Sequence, residues 1–100
     1  MIDAERHALI RGRIIKMLAK EYPNGMDLAL LRRCLANINI PLSSKDLYAY
    51  VTYLKEVGYL GIEVKKWGDE SLEYAKATTR GLNFIDDRLT EPDPGVMRDE

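Results

Sequence analysis

Apolar residues recur at helical spacing over the first 57 positions and then switch to alternation. Ile10, Ile14, Met17 and Leu18 make one stripe, which predicts a first helix from about Asp3 to Glu21 with Arg6, Arg13, Lys16 and Lys20 mostly on its other side. Gly12 inside that helix costs about 1 kcal/mol relative to alanine. It either admits another backbone or is simply tolerated, and tolerance is the reading the sequence favours. Tyr22-Pro23-Asn24-Gly25 stops the helix. Asp27 then caps a second helix to about Asn37, with Leu28, Leu31 and Leu35 as its apolar stripe and Cys34 beside them. Pro41 closes that segment, since proline disfavours helix at itself and at the residue before it. Ser43, followed by Asp46 in a weaker form of the capping box, opens a third helix. Leu47, Tyr50, Val51, Leu54 and Val57 gather on its inner side, while Lys45, Tyr48, Ala49, Thr52 and Glu56 face outward. Gly58 follows as a left-handed cap.

From Tyr59 to Lys66 the period becomes two, with Leu60, Ile62 and Val64 alternating. Trp67-Gly68-Asp69-Glu70-Ser71 reads as a turn, and Leu72 to Ala77 alternates again as an antiparallel partner strand. Thr78 can cap a short last helix whose apolar positions are Leu82, Ile85 and Leu89. Residues 90–100 contain two prolines, a glycine and several acids, which predicts a disordered acidic tail. The expected architecture is α+β, a winged helix-turn-helix over residues 1–89: three helices, a two-stranded antiparallel wing and a short C-terminal helix.

One hundred residues suit a single domain that needs neither metal nor disulfide to fold. The N-terminus lacks the apolar run of a signal peptide and no stretch is long enough to span a bilayer, so a cytoplasmic protein is expected. The net charge of −1 conceals an asymmetry. Residues 1–58 carry nine basic and six acidic side chains, whereas residues 89–100 carry one and four. A mildly basic helical half permits nucleic-acid binding without requiring it.

The outward face of the third helix is the main candidate site, because a major groove admits an α-helix. Ser44 and Lys45 would hold phosphates, Tyr48, Ala49 and Thr52 would meet base edges or thymine methyls, and Lys55 would reach the backbone. The face has no Arg, Asn or Gln, and Asp46 and Glu56 partly offset its lysines. An ordinary solvated face, or a protein-binding face using the tyrosines, is the alternative. In the wing, Lys65, Lys66 and Trp67 are candidates for backbone contact. Trp67 either marks an interface or folds back over Leu60 or Leu72. Arg32 and Arg33 are candidate phosphate contacts or plain solvated arginines. Nothing points to catalysis, a cofactor or a metal. His7 and Cys34 are each the sole residue of their type, and no glycine-rich phosphate loop is present.

Leu54-Lys55-Glu56-Val57-Gly58-Tyr59-Leu60 resembles the step from recognition helix to wing in bacterial regulators of the MarR, PadR and ArsR kind. Ala77-Thr78-Thr79-Arg80-Gly81-Leu82 resembles the Thr-x-x-Gly step that begins the helix after their wing. The resemblance covers about residues 5–89. It implies a DNA-binding transcriptional regulator that pairs as a homodimer through its first and last helices. The element order and the Pro-containing tail are also similar to small uncharacterised proteins of Mu-like phages and prophages, which implies a phage or prophage origin. The rival expectation is a winged-helix module that binds a protein partner, such as an accessory to phage assembly or packaging.

Overall fold

The structure is a computed structural model that describes residues 4–98. Its elements in chain order are α1 (Ala4–Glu21), β1 (Met26–Asp27), α2 (Leu28–Asn37), α3 (Ser44–Glu56), β2 (Leu60–Trp67), β3 (Glu70–Ala77) and α4 (Thr79–Ile85). The expected first helical residue, Asp3, lies outside the described residues.

Three helices begin on the side chains that the sequence marks as caps. Asp27 Oδ1 accepts from the Leu30 amide at 2.9 Å, Ser43 Oγ from Asp46 at 3.0 Å and Thr78 Oγ1 from Gly81 at 3.1 Å. Each satisfies an amide that the first helical turn leaves unpaired. Thr78 does more, because its hydroxyl also donates to the Gly58 carbonyl at 2.6 Å and ties α4 to the end of α3. Gly81 explains the rest of the Thr-x-x-Gly step. A Cβ there would overlap the Tyr59 carbonyl, so only glycine lets α4 settle on that corner.

The sheet has three strands in the order β1-β3-β2, all antiparallel, instead of the expected two. Met26 pairs with Ala75 and Asp27 with Tyr74 at the root of the wing. A two-residue strand shows no alternation, so the pattern of residues cannot announce it. The wing is also longer than expected. Pairing runs from Leu60↔Ala77 to Trp67↔Glu70, which shrinks the five-residue turn to Gly68-Asp69.

Ile14, Ile15 and Leu18 of α1 meet Leu31 and Leu35 of α2, Leu47, Val51 and Leu54 of α3, and Ala75 and Ala77 of β3 in one core. Tyr59 is fully buried at its edge, its ring stacked on Phe84 with centroids 5.0 Å apart.

The tail departs most from expectation. Residues 93–97 form a strap docked on α1 and the α3–β2 corner. The Asp93 amide donates to Tyr59 Oη at 2.8 Å, and the Tyr53 hydroxyl donates to Asp93 Oδ1 at 2.6 Å. Arg11 donates to the Gly95 carbonyl at 2.9 Å while its guanidinium lies 3.9 Å from the centre of the Tyr53 ring. Val96 is buried at 4% exposure, and the Met97 amide donates to the Ala8 carbonyl at 3.0 Å. Contacts with the body of the domain therefore continue past the expected boundary at residue 89, and residues 93–98 are held rather than loose; residues 99–100 lie outside the described residues. Gly12 is corrected too. A Cβ there would overlap the Met97 carbonyl oxygen, so this glycine makes room for the strap.

The Tyr53 phenol is raised above its ordinary value, first by its hydrogen bond to Asp93 and then by burial and the charge on Asp93, with Arg11 opposing. A phenol whose folded pKa exceeds its unfolded value of about 10 adds stability in full below that value and loses it as pH climbs through the folded one. Thermal melts between about pH 8 and 11 should therefore fall more steeply for the wild type than for Tyr53→Phe. Tyr50, raised chiefly by burial, keeps part of the slope in both. Equal slopes would mean that the Tyr53–Asp93 bond does not hold the strap.

Candidate nucleic-acid interface

Leu47, Tyr50, Val51 and Leu54 hold α3 against the core and so fix which side chains it presents. Ser44, Lys45, Tyr48, Ala49, Thr52, Lys55 and Glu56 are all exposed, with Tyr48 at 53%. Ser44, however, has a structural partner. Arg32 Nη1 donates to its hydroxyl at 3.2 Å, and Arg32 Nε donates to the Leu42 carbonyl at 2.8 Å. Arg32 thus braces the α2–α3 connection, whereas the exposed Arg33 lines a shallow groove with Ala29, Ala36 and Pro41. Arg80, at the start of α4, is engaged as well: its Nε donates to the Val57 carbonyl at 3.2 Å.

The wing divides its candidates between two faces. Ile62, Val64 and Glu73 line a groove with Tyr48, Thr52 and Lys55 of α3. Side chains alternate along a strand, so Lys66 shares that face while Lys65 and Trp67 take the other. Lys65 accordingly lies over the Tyr74 ring, 4.7 Å from its centre. Trp67 is 64% exposed at the tip, on the face that Lys65 and Leu72 share and away from Leu60. Tyr48, Thr52 and Lys55 thus meet the groove-side edge of the wing, to which alternation assigns Lys66, while Lys45 and Ala49 are exposed elsewhere on α3, Ala49 lining a separate groove with His7, Arg11 and Asp46. Lys65 and Trp67 are left behind the ribbon.

The single histidine and the single cysteine are occupied separately. His7 Nδ1 is 2.6 Å from the Tyr50 hydroxyl, and Cys34 packs half-buried against the core. Among the described residues no group of three or more His, Cys, Asp or Glu side chains converges, and no helix is long and apolar enough to cross a membrane. Val64, which alternates with Leu60 and Ile62 and is not among the candidates from the sequence, lies beside Tyr48 and Thr52, because the wing projects beyond the core and leaves it 59% exposed.

No protein-family model matches the sequence, and no curated protein matches it. Two solved structures share the architecture. One is a PadR-like transcription factor from Bacteroides fragilis, with a TM-score of 0.72 and 19% identity over 83% of this chain and 79% of that one. The other is a PadR family transcriptional regulator from Eggerthella lenta, with a TM-score of 0.63 and 22% identity over 78% and 70%. At such identities the likeness is one of fold, and it makes this chain a winged helix.

Proposed function

We propose that this protein is a non-catalytic, cytoplasmic DNA-binding regulator of transcription, of phage, prophage or bacterial origin. In this reading α3 enters the major groove and the groove-side edge of the wing rests on the backbone. The observation that carries it is the exposed outer side of α3, with Lys45 and Lys55 near its two ends, beside the wing edge that holds Ile62 and Val64. The two structural neighbours named as transcriptional regulators support the same reading. Lysines supply salt-dependent attraction to phosphates, and Tyr48, Ala49 and Thr52 supply base selection.

So small an interface calls for two copies on a two-part site if binding is to be tight and specific. The strap occupies α1 around Ala8 and Gly12, so pairing would draw on the uncovered parts of α1 and α4.

A gel shift against the DNA upstream of the chain's own gene tests the proposal. With about four phosphate contacts, affinity should drop about a hundredfold between about 50 and 200 mM salt. The exposed Tyr48, Val64 and Trp67 favour a second reading, a protein-interaction module such as an accessory to phage assembly or packaging. Absence of any shift at low salt would select that reading.

A further inference from the structure

The DNA reading rests on charge and shape, which leaves open what the groove between α3 and the wing selects. Resting on that reading, we propose that the groove recognises the C5-methyl groups of the major groove, with Tyr48, Thr52 and Val64 as the reading side chains. The preferred ligand is then a thymine-rich duplex, or one carrying 5-methylcytosine.

The first support is what α3 lacks. From Ser44 to Glu56 it has no Arg, Asn or Gln, the side chains that bind guanine or adenine through two hydrogen bonds. Its lysines stand near the two ends, ten residues and so about 15 Å apart along the axis. That spacing is comparable to the width of a major groove, about 12 Å, and suits phosphates on opposite rims better than base edges between them. What lies between the lysines on the exposed side is the Tyr48 ring, the Ala49 methyl and the Thr52 methyl and hydroxyl.

The second support comes from the strand. Val64 faces this groove and remains 59% exposed, beyond the reach of the core that covers Ile62 more fully. A β-branched apolar side chain left wet beside a wet tyrosine is surface that only a ligand can dry. Among the four unmodified bases thymine alone carries a C5-methyl in the major groove, and apolar side chains are its natural partners. Glu73, which pairs across the wing with Val64, adds a carboxylate to the same groove. It repels phosphates and accepts from an amino group, such as adenine N6 in the same A·T pair.

The test uses the full chain and fluorescein-labelled, hairpin-closed duplexes followed by anisotropy at low salt. Four stems are compared: alternating A-T, the same with deoxyuridine in place of thymidine, alternating G-C, and the same with 5-methylcytosine. Removing a methyl from thymine leaves every hydrogen-bonding group in place, so only a methyl reader should notice. Each contacted methyl should be worth about fourfold in affinity, giving about a tenfold loss from the A-T to the A-U stem and a comparable gain on cytosine methylation. Tyr48→Ala and the near-isosteric Val64→Thr should each move the A-T to A-U ratio toward one without changing the salt slope. Equal, salt-sensitive affinity for the A-T and A-U stems would overturn methyl recognition and leave DNA binding standing. Failure to bind any stem would overturn both.

Discussion

Replacing Gly12 with alanine is expected to destabilise the protein by about 2 kcal/mol, although the same change inside a helix ordinarily gains about 1 kcal/mol. The reversal of sign follows from the Met97 carbonyl, which occupies the space an alanine methyl would need. A helix backbone and the chain on it are both hard to move, so the strap must lift. Lifting it exposes Val96, worth about 1.5–3 kcal/mol, and breaks the Met97–Ala8 hydrogen bond, worth about 1 kcal/mol net. Urea unfolding should give a lower midpoint for the variant, and the Met97 amide should lose its protection from hydrogen exchange. A Gly12→Ala protein more stable than the wild type would mean that the strap contributes nothing.

Reversing one wing charge should separate two adjacent lysines. Lys66→Glu is expected to weaken duplex binding about tenfold and to flatten the salt dependence, because it places an anion on the rim facing the phosphates. Lys65→Glu sits on the far face over Tyr74 and should cost no more than about twofold, through the long-range field alone. Anisotropy titrations of the two variants at one salt concentration give the comparison. Equal losses would mean that the wing approaches DNA by its tip or its back.

Much of this molecule is legible along the chain, for physical reasons that are local. Asp27, Ser43 and Thr78 announce helix starts because a cap acts within three residues of itself. The outward side of α3 follows from its apolar spacing, and the wing from alternation. What stays hidden is long-range. Gly12 answers to Met97, 85 positions later, and Asp93 to Tyr53, 40 positions earlier, so an acidic, proline-bearing tail that resembles a disordered one is in fact held. β1 is too short to have a period. Arg32 looks like a free cation until α2 and α3 are in place and Leu42 and Ser44 come within reach. The division between Lys65 and Lys66 was available in principle, since alternation alone puts neighbours on opposite faces.

The most direct check on the central claim is to titrate duplex DNA into isotope-labelled protein and follow the backbone amide resonances. Binding through the exposed side of α3 and the groove edge of the wing predicts shifts concentrated at residues 44–55 and 64–69, with the strap at 93–97 and its seat on α1 unmoved. Shifts confined to α1 and the strap, with α3 silent at saturation, would contradict it.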